Sequence, residues 1–202
     1  MARVIYPHTH GKPSVTAHEV GWPYTIPTVK FPDGTWLMDS RKIAEAIEAR
    51  FPSPSANLQS PFQARMEELI NPLIFTVFGL VIKEIPDNLL NESSEEYWND
   101  DRADLVGMNI DKFAEAKGGQ NALDAARDSL EKITALYKEN SDGPFLEGKD
   151  PIYADFLWVS FLVFIQKSNP AWFGGFLETT GDAKLHEAVF AASSPYLKLN
   201  DH

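Results

Sequence analysis

Between Tyr24 and Glu48 the chain reads "YTIPTVKFPDGTWLMDSRKIAEAIE", and its hydrophobic period changes once, abruptly, at Asp39-Ser40. Before that point two β-prone runs, "YTIPTVKF" and "TWLM", flank Pro32-Asp33-Gly34. Pro presets φ, Asp closes a local side-chain bond and Gly tolerates positive φ, so the three residues predict a hairpin turn. After it, "SRKIAEAIEARF" places Ile43, Ile47 and Phe51 at i, i+4 and i+8, one face of a helix that Pro52 and Pro54 end. A hairpin running straight into a helix is part of an α/β sheet domain. The Asp39-Ser40 pair at the helix start has two readings. It is an ordinary N-cap, or it lends free N–H groups, a hydroxyl and a positive dipole end to a small charged ligand.

The segment "PSPSANLQSP", 52–61, is the best linker in the chain. Everything beyond it reads as helix. "FQARMEELINPLIFTVFGLVIKEI" predicts one long helix or two pieces joined near Pro72, and 92–117 a polar, acidic helical stretch. "ALDAARDSLEKITALYK" sets Leu123, Ala126, Leu130, Ile133 and Tyr137 on one face. "DPIYADFLWVSFLVFIQK" is apolar nearly all round and predicts a buried central helix, and "DAKLHEAVFAA" a last one. Upstream, "ARVIY" at 2–6 is a short β-prone run ended by Pro7, and 7–23 reads as an irregular loop. The expected organisation is a small α/β domain over 1–51, a linker over 52–61 and an all-α domain of about five helices over 62–202.

Composition narrows the function. A net charge of −11 argues against nucleic acid or an anionic membrane as partner. With no cysteine, disulfides, thiolate catalysis and Cys-ligated zinc are excluded. The longest apolar run, Phe156–Ile165, is too short to span a bilayer, and the N-terminal residues lack the apolar core of a signal peptide. A cytoplasmic protein is expected.

With these residues in place, the chain resembles the glutathione transferase superfamily, in particular its fungal etherase-like branch. Two motifs carry the likeness: "YTIPTV…PDGTWLMDSRKIAEAIE", the second half of a thioredoxin-like domain, and "GPFLEGKDPIYADF", 143–156, the run into the buried helix of the C-terminal domain. The resemblance covers about residues 20–195. It implies an α+β/α fold, with a small, incomplete thioredoxin-like domain followed by an all-α transferase-type domain. It also implies glutathione as cofactor, with Pro27 following a cis peptide bond, Ile26 pairing its backbone with the cysteinyl part, and Asp39 and Ser40 holding the γ-glutamyl zwitterion. In the second motif the usual Ser or Thr capper is replaced by Ile152. Asp155 is retained and can still accept a bond from the Ile152 N–H, or Asp150 with Pro151 can start the helix one turn earlier.

The resemblance also implies a strand–helix–strand unit before Tyr24, of which the chain supplies one strand candidate. It is short by about one βα unit, roughly 30 residues, the unit that carries the family's thiol-activating Tyr, Ser or Cys. No family nucleophile transfers. Tyr6, His8, His10 and Ser14, with Thr9, Thr16 and His18, are the groups that can act instead. Their bland reading is a polar loop with incidental histidines, and His-x-His without a third ligand does not make a metal site. Phe75, Phe78, Tyr97 and Trp98, with Tyr153 and Trp158, are candidates to line an apolar substrate cleft, or else core, as Phe161 and Phe164 are expected to be. Lys83 and Arg102 are possible cationic partners of an acidic substrate. Three functions follow. The first is a glutathione-dependent enzyme acting on an apolar or aromatic small molecule by conjugation, ether cleavage or isomerisation. The second is a glutathione-independent cyclase, dehydratase or isomerase of a secondary-metabolite pathway. The third is a non-catalytic binding or dimerisation module. A homodimer is expected by resemblance.

Overall fold

The computed structural model describes residues 27–198. The strand expected over 2–6, the candidate groups Tyr6, His8, His10 and Ser14, and Ile26 with the Ile26–Pro27 peptide lie outside those residues. The chain divides into two compact units between Leu58 and Gln59.

In the first unit β1 (Thr28–Lys30) pairs antiparallel with β2 (Trp36–Met38), Val29 opposite Leu37. The turn is built as its residues dictate. The Gly34 N–H donates to the Phe31 carbonyl at 2.9 Å, with Gly34 at φ 87°, and Asp33 Oδ1 accepts from the Thr35 N–H at 2.9 Å. Helix α1 (Ser40–Arg50) follows. Phe31, Met38, Ile43 and Leu58 are buried. The predicted apolar stripe holds only in its first member, because Ile47 is 43% and Phe51 67% exposed. The reason is length: strands of three residues span about 10 Å and cover only part of an eleven-residue helix about 16 Å long. Phe51 is also the C-cap, at φ −133°, outside the helical register.

The second unit contains nine helices among the described residues, not five. They are α2 (Pro61–Thr76), α3 (Phe78–Val81), α4 (Ile85–Leu89), α5 (Glu92–Val106), α6 (Ile110–Lys117), α7 (Gly119–Tyr137), α8 (Tyr153–Ser168), α9 (Pro170–Thr179) and α10 (Ala183–Ala192), with a 3-10 turn at Ser194–Tyr196. None of the described helices is long and apolar enough to cross a membrane. Helix α2 runs through Pro72 and breaks at Val77 instead. Pro72 is exposed, so the carbonyl its missing N–H leaves unpaired can be met by water. The break turns α3 so that Gly79 meets the backbone at Gly118. A Cβ on Gly79 would lie 2.5 Å from the Lys117 carbonyl carbon, and one on Gly118 would lie 2.5 Å from the Gly79 oxygen.

Helix α7 buries the predicted stripe, with Leu130 and Ile133 at 0% exposure. Helix α8 is the centre of the core. Trp158, considered above for a cleft, is 0% exposed and packs on Phe161 and Phe176, with ring centroids 6.0 and 6.3 Å away. Helix α9 had no counterpart in the sequence reading, because "PAWFGGFLET" pairs Gly174 with Gly175 and gives no clean helical period. Its Pro170 stands in the first turn, and Gly175 brings it against Leu123 of α7.

Helix α8 starts at Tyr153 with Ile152 as N-cap, so Asp150 does not open the helix. An Ile side chain accepts nothing, and Asp155 does the work from N3. Its Oδ2 accepts from the Ile152 N–H at 2.9 Å and its Oδ1 from the Leu146 N–H at 3.1 Å. Burial raises the Asp155 carboxyl above its ordinary value, while the two N–H donors and the Tyr137 hydroxyl oppose the shift. Burial also raises Tyr137 well above an ordinary phenol, and the Asp155 charge adds to that.

Candidate functional site

The end of β2 delivers Asp39 to the start of α1 in an uncommon conformation, φ 81° and ψ 115°. A non-glycine residue with positive φ carries strain that its surroundings must hold in place. Here the hold is the cap itself. Asp39 Oδ1 accepts from the Arg41 N–H at 2.9 Å and the Lys42 N–H at 3.3 Å, and its carbonyl accepts from Ile43. Two of the helix's unpaired donors are therefore already satisfied. Ser40 is at the first helical position and exposed, and no described residue accepts from its N–H or hydroxyl. The pair thus divides: Asp39 holds the helix, and Ser40 presents a backbone donor and a hydroxyl at the positive end of an eleven-residue helix dipole.

Around it the unit is tied by ionic contacts. Arg41 donates from Nη2 to the Leu58 carbonyl at 3.0 Å and from Nε to Glu45 at 2.9 Å. Arg50 reaches Asp33 at 3.1 Å and lies 4.0 Å over the Phe31 ring. Glu48 accepts from the Ser55 hydroxyl and from the Ala56 N–H. Pro27, just before β1, is exposed.

The four aromatic candidates fall into two environments. Phe75 is 73% and Tyr97 60% exposed. Phe78 packs edge-on to Phe113, and Trp98 donates from Nε1 to the Ile82 carbonyl at 3.0 Å with Arg102 stacked 4.4 Å over its ring. Phe78 and Trp98 thereby lean on the core. Arg102 is also paired with Asp101, and Lys83 lies 3.8 Å from Glu84. Lys83 instead borders a hollow of about 330 Å³ between α4, α5 and the start of α6, whose other walls include Asp87, Glu95, Asn99, Asp100 and Asp111. That hollow is acidic and polar, the opposite of an apolar cleft. No group of three or more His, Asp or Glu among the described residues could hold a metal ion.

The profile of the family described as "Glutathione S-transferase, C-terminal domain" matches residues 58–173, more than half the chain. The chain belongs to the glutathione S-transferase family. A curated relative, the glutathione S-transferase-like protein ustS of Aspergillus flavus, is 25% identical over 166 residues. That match takes in 74% of this chain and 60% of that protein, so this chain spans less than two thirds of its relative's length. Among solved structures, glutathione transferase GSTFuA3 of Phanerochaete chrysosporium superposes with a TM-score of 0.72 at 21% identity, over 94% of this chain and 76% of its own. Glutathione S-transferase CsGST83044 of Ceriporiopsis subvermispora, solved in complex with glutathione, gives 0.65 at 20% identity, over 87% and 72%. At these identities the structures establish the fold. It is the transferase fold, with a small thioredoxin-like part, of which the described residues form a hairpin and one helix, and a helical domain.

Proposed function

We propose that this transferase-family chain binds glutathione through the N-terminus of α1 and delivers its sulfur to an electrophilic carbon of an apolar or aromatic small molecule. The observation that supports it is Ser40, exposed at the first position of an amphipathic helix whose cap is supplied by its neighbour. A γ-glutamyl carboxylate at that position would take the Ser40 N–H and hydroxyl, and the Asp39 charge would attract the α-ammonium. Ile26 would pair its backbone with the cysteinyl part. Phe75, Phe78, Tyr97 and Trp98 are the candidate contacts for the apolar substrate, of which Phe75 and Tyr97 are exposed. Tyr6, His8, His10 and Ser14 are the candidate acid–base groups. A homodimer, as expected for the family, would show in size-exclusion chromatography with light scattering.

Calorimetric titration with glutathione tests the reading. Binding that weakens in Ser40→Ala supports it, and no heat at millimolar glutathione sinks it. One observation favours a second reading, glutathione-independent acid–base chemistry on the same scaffold: Asp39 Oδ1 is already engaged by two backbone N–H groups of its own helix. An active protein whose turnover is unaffected by omitting glutathione would decide for that alternative.

A further inference from the structure

His186 sits on α10 with 0% exposure, and both of its ring nitrogens are occupied. Trp158 Nε1 lies 3.0 Å from Nδ1, and the Thr134 hydroxyl lies 2.7 Å from Nε2. An indole N–H only donates, so Nδ1 must be the acceptor and the proton must sit on Nε2. Thr134 Oγ1 then accepts from Nε2 and donates onward to the Thr180 carbonyl, 2.7 Å away. One neutral imidazole in one tautomer thus ties α7 (Thr134), α8 (Trp158) and the end of α9 (Thr180) to α10. A second ring proton can go only onto Nδ1, where it would confront the indole N–H.

We propose that His186 is an acid-sensitive latch, whose protonation breaks the Trp158 bond and releases α10 and the turn after it from the helical core before the rest unfolds.

The groups around the ring agree with this. From α7, Tyr137 meets the imidazole edge-on at 5.8 Å, and Lys138 stands just beyond it. From α8, Trp158 itself meets the ring at 5.2 Å, while Asp155 interacts with Tyr137. Helix α9 contributes the uncharged Thr180 carbonyl. From the 3-10 turn, Tyr196 packs on Phe156, not on the histidine. Within α10, the cap residue Asp182 favours the imidazolium, but it is paired with Lys138 at 2.7 Å, and Lys138 disfavours it. With those two charges opposed, burial decides, and it lowers the His186 pKa from 6.5 to about 4. Asp182 also accepts from the Leu185 N–H, so acid strong enough to protonate it removes the α10 cap and pushes the same way.

The sign follows from linkage. The ring is neutral in the closed state and titrates near 6.5 once released, so opening takes up a proton and grows as pH falls from 6.5 towards 4. Between pH 7 and 5 the opening constant rises roughly twentyfold. Hydrogen exchange on the full chain reads this out, with rates corrected for the intrinsic pH dependence of exchange. Protection over 183–192 should fall roughly twentyfold across that interval while α7 keeps its own. Parallel loss in both helices, or constant protection in α10, overturns the proposal. In His186→Asn the amide oxygen still accepts from the indole but cannot be protonated, and the pH dependence of α10 should vanish. In Trp158→Phe the opposing N–H is gone, so the ring can take its second proton in the closed state, and the fall in α10 protection between pH 7 and 5 should shrink. Should either variant fail to fold, ring-nitrogen NMR of the unaltered protein decides. It should show Nε2 protonated and Nδ1 bare at pH 7, with the Trp158 indole proton lost in step with α10 protection. The opposite tautomer, or an imidazolium at pH 6, rules the latch out.

Discussion

The aspartates at the starts of α1 and α8 cap their helices in opposite ways. At α1 the aspartate is the cap residue itself, Asp39, half-buried in a short unit, and its carboxylate serves the second and third N–H groups of its own helix. At α8 it is the third helical residue, Asp155, with 0% exposure, and it reaches back to Ile152 and across to Leu146. The first arrangement leaves Ser40 facing solvent at a helix terminus. The second leaves nothing open and splices the loop before α8 into the core. Capping is the same chemistry in both places, and burial decides whether the helix start stays open to solvent or becomes a joint.

The largest effect should come from breaking the buried joint. Asp155→Ala strands two N–H groups away from water and should destabilise the protein by about 3 kcal/mol in a denaturant titration. A loss under ~1 kcal/mol would mean that solvent reaches the site. Asp155→Asn keeps one acceptor and should lose less. Acid should not mimic the deletion. The folded Asp155 carboxyl is raised above its unfolded value of 3.8, so its contribution improves as pH falls through the folded pKa. His186 has the opposite sign, and stability should drop by up to ~3 kcal/mol between pH 6.5 and 4 from that residue.

A third helix start marks the other extreme. Helix α7 begins after Gly118, which supplies no side-chain cap because no side chain fits: a Cβ there would meet the Gly79 carbonyl oxygen at 2.5 Å. Gly118→Ala should destabilise by about 2 kcal/mol by overpacking, and Gly79→Ala by a similar amount against the same backbone. If both are tolerated within ~0.5 kcal/mol, α3 and α7 can separate, and the break at Val77 has some other cause.

Much of this is legible in the sequence. Periodicity located α7 with its buried face, α8 as the centre of the core and the hairpin at Pro32-Asp33-Gly34, because each rests on local pattern. The break at Val77, the bond from Leu146 to Asp155 and helix α9 were not legible. They depend on what a residue meets far along the chain: Gly118 for Gly79, Leu146 for Asp155, Leu123 for Gly175. His186 was invisible for the same reason. "KLHEAV" shows one polar residue on an apolar face, and only the approach of Trp158 and Thr134 makes it a bonded member of the core. At the candidate site the sequence showed that Asp39 and Ser40 stand together. It could not show which one serves the helix, because that depends on the φ of Asp39.

At α1 the test of the exposed arrangement is milder. Asp39→Ala removes the cap and should lower stability by about 1 kcal/mol, while Asp39→Asn caps nearly as well and should leave stability unchanged. Glutathione affinity should fall in Asp39→Asn all the same, since the amide keeps the helix start but drops the charge opposite an ammonium. An unchanged dissociation constant in Asp39→Asn would assign Asp39 to the helix alone.

Ser40→Ala should perturb the fold least and bear most directly on the comparison. The side chain is exposed, follows the cap and bonds to no described residue, and Ala suits a helix well, so thermal and denaturant midpoints should stay within ~0.5 kcal/mol of the unaltered protein. Losing one hydroxyl donor to a carboxylate removes about 1.5 kcal/mol, close to tenfold in affinity for glutathione. Stability and binding are thus expected to separate at Ser40, whereas the loss at Asp155 is one of stability. A Ser40→Ala protein that binds glutathione as before would place the ligand elsewhere and leave α1, like α8, as a helix whose start serves only the fold.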